Sequence, residues 1–359
     1  MKPKLLFAIS SHGFGHFSMT VPIINQLIAE DRFEIVLRTT VPEKLIQSRI
    51  PHALPVVKDA SDFGMLMNSS LDIDLEKSYA AYEKLHGNWE RAIEDEMQKL
   101  RGIAPDLIVS NIPYVTLVAA RQLGIPALAY CSLNWAHIAL SCFQANDTFA
   151  KTIYPQMLEA YNMAEHFIIP VPSMDMPGLN NLIQVGPVCT IGVNRKNDIL
   201  DGLGLQKATK LVLVSPGGVA TPIAVDEWPQ LENVVWICAW DMSSDRSDIV
   251  CFRNIPLSFP DLSASVDCIV TKPGYGTVSE STCLGKPVVY VKRGNWAEEP
   301  GLIKWWQENA NVCEVTRNQF FHGDFVKELM QLFHAEPRNP IAPTGNQQVV
   351  QILNQYLHS

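Results

Sequence analysis

A histidine in a glycine-rich loop has the residue type and setting that proton transfer requires. The loop spans Ser10–His16, and Gly13 and Gly15 alternate with His12 and His16 near its end. Histidine exchanges protons near neutral pH, so His16 could deprotonate an acceptor hydroxyl. The alternative is a tight turn capped by a histidine. The loop alone supports both interpretations equally, because a lone Gly-x-Gly has low specificity.

A second glycine-rich turn, at 272–276, is followed at helical spacing by Glu280. The turn comes after an apolar run and opens a helix, whose free N–H groups and dipole favour an anion such as a diphosphate. A carboxylate accepts two hydrogen bonds, which suits the vicinal hydroxyls of a ribose. The alternative for Glu280 is a surface carboxylate near a helix start. The spacing does not match a dinucleotide fingerprint, because its third glycine is missing.

Two further loops have the composition of ligand-binding turns. Gly217 and Gly218 follow an apolar run and could present backbone N–H groups to a pyrophosphate, although a plain strand-to-helix turn explains them equally well. The polar stretch 291–300 contains the adjacent carboxylates Glu298 and Glu299. These carboxylates could bind sugar hydroxyls, or they could lie in the first turn of a helix, where acids are favoured.

Each of these loops follows an apolar run that is typical of a strand buried on both faces of a parallel sheet. Such runs predict strands at 5–10, 33–37, 106–110, 126–131, 167–169, 211–215, 234–238, 268–271 and 288–291. Apolar residues at helical spacing predict helices from an N-cap at Ser18, at 75–100, 115–123, 148–164 and 302–308, and near the C-terminus. Ligands bind beyond the carboxyl ends of parallel strands, so the glycine-rich loops are the expected binding regions.

The alternation of strands and helices in both halves predicts an α/β fold with two parallel-sheet domains. A length of 359 residues agrees, at about 100–200 residues per domain. The weakly periodic stretch 180–206 indicates the interdomain connection. We therefore expect an N-terminal domain at 1–180, a C-terminal domain at 181–345, and a helix at 346–359 that packs back on the N-terminal domain.

Composition argues against several classes of protein. The formal net charge is −9 and no Lys/Arg run occurs, which disfavours nucleic-acid binding. Eight cysteines occur singly, as buried thiols do in a reducing compartment, and no clustered zinc ligands are present. No apolar run reaches membrane-spanning length, and the run at 5–9 is too short for a signal peptide. We therefore expect a cytoplasmic protein without a transmembrane segment, a nucleic-acid partner or a metal.

Taken in chain order, these loops resemble the GT-B class of glycosyltransferases. The nearest family in this class is the GlcNAc-transferases that act on lipid-linked muramoyl-pentapeptide. The chain also resembles the predicted glycosyltransferase region of plant arabinose kinases. The segments that carry the resemblance lie along most of the chain, at 13–22, 105–111, 119–126, 217–218 and 274–287. The last of these segments is the most specific match.

The resemblance implies two Rossmann-like domains facing across a cleft and a hexosyltransferase-type enzyme. The donor would be a nucleoside-diphosphate sugar, usually a UDP-sugar, and transfer would invert the anomeric centre without metal or cofactor. The acceptor would be lipid-linked, a small molecule or a glycan. His16 would be the catalytic base, beside His12, Gly13 and Gly15. The implied donor-binding residues are Gly217, Gly218, Gly274, Tyr275, Gly276, Thr277, Glu280, Glu298 and Glu299.

Several positions depart from the pattern of the class. Val219 follows the second glycine pair where a hydroxyl residue is common, Cys189 stands near the place of an arginine, and Asn111 replaces an acid. Glu298 and Glu299 replace amide side chains of the GlcNAc-transferases, so the donor sugar stays open. Two alternatives also stay open, namely a nucleotide-sugar hydrolase or epimerase on the same fold and a non-catalytic nucleotide-sugar-binding protein.

Overall fold

A computed structural model describes residues 2–59, 62–219 and 221–356 of the chain. Within these ranges the strands form two sheets, of seven and six strands. The first contains β1 Lys4–Ile9, β2 Glu34–Arg38, β3 Val56–Val57, β4 Leu107–Asn111, β5 Ala127–Tyr130, β6 Phe167–Pro170 and β7 Leu182–Val185. The second contains β8 Lys210–Ser215, β9 Val234–Cys238, β10 Ile249–Cys251, β11 Cys268–Thr271, β12 Val288–Val291 and β13 Val312–Val315.

Both sheets are parallel and share one topology. The strand orders are β3-β2-β1-β4-β5-β6-β7 and β10-β9-β8-β11-β12-β13. In each sheet the chain adds strands on one side of the first strand and then returns to the other side. The reversal lies between β1 and β4 in the first sheet and between β8 and β11 in the second. Loops diverge at such a reversal and leave a crevice for a ligand.

Helices cover the faces of both sheets. The first half contains α1 Gly15–Glu30, α2 Glu43–Arg49, α3 Leu75–His86, α4 Trp89–Ile103, α5 Tyr114–Leu123, α6 Trp135–Phe143 and α7 Tyr154–Asn162. The second contains α8 Lys196–Gly202, α9 Phe259–Ser265, α10 Tyr275–Leu284, α11 Glu299–Asn309, α12 Arg317–His322, α13 Val326–His334 and α14 Gly345–Gln355. No helix in the described ranges combines the length and hydrophobicity needed to span a membrane.

The central strands are continuous apolar runs because helices cover both of their faces. In β1, for example, Leu5, Leu6 and Phe7 are completely buried. After the second sheet the chain returns to the first half through α14. Gln348 of this helix accepts a hydrogen bond from the backbone N–H of Gly186, and Asn354 donates one to Glu30 at the end of α1. The last helix therefore ties the second half of the chain to the first.

The structure corrects several predicted boundaries. Helix α1 begins at Gly15 rather than after Ser18, which brings His16 into its first turn. The single helix predicted at 75–100 is wrong, because the chain ends α3 at the C-cap Gly87 and restarts at Trp89. Strands β3, β7, β10 and β13 were missed: they are two to four residues long and partly exposed, so no continuous apolar run marks them. Strand β7 and helix α8 also fall inside the stretch 180–206, predicted to be a connection.

Candidate active site

Loops from the two sheets meet across a cleft between the two halves of the chain. The Phe14 ring lies against Gly218, where a Cβ atom would come within 2.6 Å of it. The His12 ring stacks on Trp296 of the second half, with centroids 5.5 Å apart and planes 16° from parallel. Glycine at position 218 therefore permits a close approach of the two halves that any side chain would obstruct.

His16 is held by an asparagine at the end of β4. Its Nδ1 lies 2.8 Å from the Asn111 Oδ1, and both residues are buried. The Asn111 Nδ2 donates to the His16 carbonyl at 3.3 Å and to the Thr20 Oγ1 at 3.1 Å. Because the amide nitrogen is committed to these acceptors, the amide oxygen faces the ring and Nδ1 carries the hydrogen. Nε2 then carries the lone pair, as a general base requires.

Burial keeps both histidines of the loop neutral. It lowers the pKa of His16 to about 4, because the ring loses the hydration of its charged form. Burial, helped by the nearby His16, lowers the pKa of His12 to about 3. The His12 Nδ1 lies 2.9 Å from the carbonyl oxygen of Met65. Gly13 makes the turn between the two rings with a φ of +65°, which favours glycine, and Gly15 begins α1.

An aromatic wall surrounds these histidines. The Trp135 ring packs edge-on against His12 at 5.0 Å and lies 5.4 Å from His16. The Trp135 Nε1 donates to the Asp62 Oδ2 at 2.8 Å, and the backbone N–H of Ser11 donates to the other oxygen at 3.2 Å. Burial raises the pKa of Asp62 to about 6. Hydrogen bonds and ring contacts within the protein therefore hold the loop in place.

The glycines of the second half flank a lysine. A Cβ atom at Gly217 or at Gly274 would lie 3.4 Å from the Lys272 Nζ. Gly217 has a φ of +115°, a conformation that other residues rarely adopt. Among the described residues, the ammonium of Lys272 has no hydrogen-bond or ion-pair partner. Burial, and to a lesser extent the Arg293 guanidinium, lowers the pKa of Lys272 to about 7.

The start of α10 lies beside this lysine. Gly274 is the N-cap and provides no side-chain acceptor, so the first N–H groups of the helix stay free for a ligand. Gly276 and Thr277 are half-buried in the first turn, and a Cβ atom at Gly276 would meet nothing within 4 Å. The Tyr275 side chain is bound within the protein. Its hydroxyl accepts from the backbone N–H of Val188 at 2.9 Å and so ties α10 to the interdomain connection.

Glu280 is one turn further along α10 and is buried. Its carboxylate has no hydrogen-bond partner in the part of the chain that the structure describes. Burial raises the pKa of Glu280 to about 7, and the positive charge of Arg49 opposes this rise. The Glu280 oxygens are not among the fully buried polar atoms that lack a partner, so they stay accessible to a ligand that supplies hydroxyl groups.

Glu298 and Glu299 are both bound within the protein. The Glu299 carboxylate accepts from the backbone N–H of Arg293 and from its Nε, each at 3.0 Å. The Glu298 Oε1 accepts from the Ser132 Oγ at 2.6 Å, and its Oε2 accepts from the Trp296 Nε1 at 3.1 Å. The two acids therefore hold their own loop together and fasten it to the first half of the chain.

Sequence reasoning assigned no role to several residues that complete the site. Lys272 and Asn111 lie at the carboxyl ends of β11 and β4, and Trp135 begins α6 after β5. A polar side chain at the end of a buried parallel strand is a signal that could have identified Lys272 and Asn111. Arg293 and Trp296 belong to the polar stretch 291–300, in which sequence reasoning considered only the two adjacent carboxylates.

Two parallel-sheet domains that face each other across this cleft define the GT-B fold, as predicted from the sequence. No protein-family model matches the chain. The chain is 26% identical, over 350 residues, to the L-arabinokinase of Arabidopsis thaliana. The match covers 93% of this chain and 32% of the relative, so the chain spans about a third of that protein's length. It confirms the resemblance to arabinose kinases, whereas the resemblance to the muramoyl-pentapeptide GlcNAc-transferases stays a prediction.

Solved structures of similar fold are glycosyltransferases. Spinosyn forosaminyltransferase SpnP is 15% identical with a TM-score of 0.60, covering 100% of this chain and 96% of that one. The calicheamicin glycosyltransferase CalG4 is 14% identical with a TM-score of 0.61, covering 99% and 98%. UGT89C1 of Arabidopsis thaliana complexed with UDP is 14% identical with a TM-score of 0.57, covering 100% and 95%. At these identities the likeness shows the fold alone.

Proposed function

We propose that this protein is a glycosyltransferase that moves a sugar from a nucleoside-diphosphate sugar to an acceptor hydroxyl. The 2.8 Å contact between His16 and Asn111 carries the proposal. It fixes the imidazole as the tautomer with a lone pair on Nε2. A neutral, oriented base at the carboxyl edge of a parallel sheet is suited to deprotonating a hydroxyl group.

In the proposed reaction the acceptor oxygen attacks the anomeric carbon of the donor sugar. The new carbon–oxygen bond forms as the bond to the diphosphate breaks, and His16 Nε2 takes the hydroxyl proton. A single displacement of this kind inverts the anomeric centre. Asn111 does not exchange a proton in this scheme. It orients the imidazole and accepts the Nδ1 hydrogen throughout.

The second half of the chain would hold the departing diphosphate. Lys272 supplies a positive charge without a partner among the described residues, and the free N–H groups at the start of α10 supply further donors. Glu280 would accept hydrogen bonds from the ribose hydroxyls. With this positive charge supplied by the protein, the proposed mechanism requires no divalent metal. A UDP-sugar is the expected donor, as in the sequence-based prediction.

The pairing of His16 with Asn111 also supports a second candidate function, that of a nucleotide-sugar-binding protein without turnover. Asn111 is neutral, so its hydrogen bond to Nδ1 stabilises the imidazolium that proton transfer would create less than a carboxylate would. Asn111→Asp places a carboxylate there, and we expect it to raise the pKa of His16 by about 1–3 units. NMR titration of His16 measures that shift. A transfer rate that rises with the pKa supports catalysis, whereas turnover absent from both proteins supports binding alone.

The first test of the proposal is nucleotide binding by thermal shift. A ligand at a hundredfold excess over its Kd stabilises the folded protein by about 2.7 kcal/mol. We expect UDP to raise the Tm of the wild type and Glu280→Ala to abolish most of that rise. If uridine, thymidine and guanosine diphosphates all leave the Tm unchanged, the proposal is wrong. Free sugar released from a donor without acceptor would instead indicate hydrolysis.

A further inference from the structure

A small cavity lies between the two halves of the chain, beside the predicted nucleotide site. Its volume is about 150 Å³, and Val21 and Arg49 of the first half line it together with Gly192 and Asp261 of the second. Pockets that enclose a whole small ligand usually measure about 300–1,000 Å³. This cavity therefore fits one chemical group of a larger ligand that extends beyond it.

Arg49 presents unused hydrogen-bond donors in this cavity. Its guanidinium lies 5.2 Å from the centroid of the Phe259 ring, and within the described ranges it makes no hydrogen bond or ion pair. The backbone at this position is fixed, because the Asn25 Nδ2 donates to the Arg49 carbonyl at 3.1 Å. A planar fork of N–H groups beside an aromatic ring suits a flat ligand group with a carbonyl acceptor.

Asp261 provides an acceptor in the wall of the same cavity. Its Oδ1 accepts from the backbone N–H of Val193 at 2.7 Å, which fixes the carboxylate. The Oδ2 has no partner among the described residues. A fork of donors and a carboxylate in one small cavity are complementary to a ring that carries a carbonyl next to an N–H, which is a lactam edge. Uracil, thymine and guanine have such an edge, whereas adenine and cytosine do not.

The position of the cavity connects it to the nucleotide. Thr190 also lines the cavity, and it lies just after Val188, whose carbonyl accepts at 3.1 Å from the Ser279 hydroxyl of α10. Ser279 precedes Glu280, the residue proposed to bind the ribose hydroxyls, and the positive charge of Arg49 opposes the rise in the pKa of Glu280. A base is the group attached to a ribose, so it is the group expected next to that carboxylate. We propose that Arg49 and Asp261 recognise the base of the donor nucleotide through its lactam edge. This inference rests on the proposed function and adds a nucleotide contact from the N-terminal half.

Isothermal titration of nucleoside diphosphates tests the inference. The wild type should bind UDP more tightly than CDP or ADP. Arg49→Ala should weaken UDP binding by about ten- to a hundredfold, the usual effect of losing a hydrogen bond from a charged group. It should leave the weaker binding of ADP nearly unchanged. Lys44→Ala is the matched control, because it removes an exposed cation from the same helix, and UDP binding should not change.

Asp261→Asn tests the inference through a change in base preference, which is more specific than a loss of binding. The amide oxygen can still accept from the Val193 N–H, so the local fold should persist. The amide nitrogen then faces the base as a donor, which suits the ring nitrogen of cytosine and opposes the N–H of uracil. We expect the preference for UDP over CDP to shrink or reverse. Melting curves without nucleotide should show that both variants stay folded.

Failure of this inference differs from failure of the proposed function. If UDP binds and Glu280→Ala weakens it, but Arg49→Ala and Asp261→Asn do not, the base is read elsewhere and the proposed function stands. If Arg49→Ala weakens UDP, CDP and ADP equally, the arginine acts only as a charge and the inference is wrong. If no nucleoside diphosphate binds the wild type, both proposals are wrong.

Discussion

The two sides of the cleft differ in how their polar groups are satisfied. On the N-terminal side, His16, Asn111 and Thr20 form a buried, neutral hydrogen-bond network. On the C-terminal side, Lys272 and Glu280 are ionisable. Neither side chain has a hydrogen-bond partner in the described part of the chain. The polar groups of the first side are therefore satisfied within the protein, whereas those of the second side are left for the ligand that we propose.

This difference indicates that the two sides of the cleft have different functions. A base must be oriented before the reaction, and hydrogen bonds between neutral groups achieve this at little electrostatic cost. A ligand gains most affinity from polar groups that have lost hydration and lack a hydrogen-bond partner in the protein, because the ligand supplies the missing partner. We expect substitutions on the N-terminal side to change the rate of transfer and substitutions on the C-terminal side to change affinity.

The largest expected effect is the loss of transfer in His16→Ala. Removing a general base usually slows a reaction by about a hundred- to ten-thousandfold. The Kd of UDP should stay the same, because the imidazole does not contact the diphosphate in our proposal. Initial rates and isothermal titration separate the two quantities. An equally large loss of UDP affinity would contradict the contrast between the two sides.

Lys272→Met should have the largest effect on affinity. We expect it to weaken UDP binding by about ten- to a hundredfold, since a charge-assisted contact to phosphate is lost. Uridine, which lacks phosphate, should bind as before. The pKa of Lys272 is about 7 without ligand, so the ammonium is lost as the pH rises through 7. Wild-type affinity for UDP should therefore decline above this pH, and the variant should lack that decline.

Glu280→Gln should stabilise the protein while weakening nucleotide binding. The folded pKa is about 7 and the ordinary value is 4.5, so the folded state holds a proton that the unfolded state releases. The full contribution of protonated Glu280 to the free energy of unfolding is present below pH 4.5, and it is lost as the pH rises through 7. At pH 8 the variant should gain roughly 1–3 kcal/mol of unfolding free energy. Urea titrations at pH 8 and pH 4.5 measure it, and a gain at both would exclude ionisation as the cause.

The smallest expected effect concerns a contact that joins the two halves outside the site. Thr221 accepts from the backbone N–H of Ser70 at 3.1 Å and donates to the Ser70 Oγ at 2.6 Å. Thr221→Val removes both bonds with little change in volume. We expect the free energy of unfolding to fall by about 1 kcal/mol and UDP affinity to stay constant. A change in affinity would show that closure of the halves is coupled to binding.

The sequence predicted the central elements better than the edges. Strands β1, β8, β9, β11 and β12 were located to within a residue, because burial on both faces leaves a continuous apolar run. The edge strands β3, β7, β10 and β13 are partly exposed and left no such run. The break in the helix at 75–100 was also missed, because apolar residues at helical spacing continue through Gly87.

Local patterns in the sequence determined the parallel α/β plan and the strand ends at which ligand-binding loops occur. They identified His16 and Glu280 as candidates because each has a suitable type at such a position. Only the tertiary structure decided that His16 faces Asn111, 95 residues away, that Glu298 and Glu299 are bound within the protein, and that Arg49 lies near Glu280. The spacing of apolar residues along a segment indicates which of its faces are buried against its own sheet. Contacts between side chains on different segments depend on the order of strands within a sheet, the path of each loop and the packing of the two halves, which no local pattern encodes.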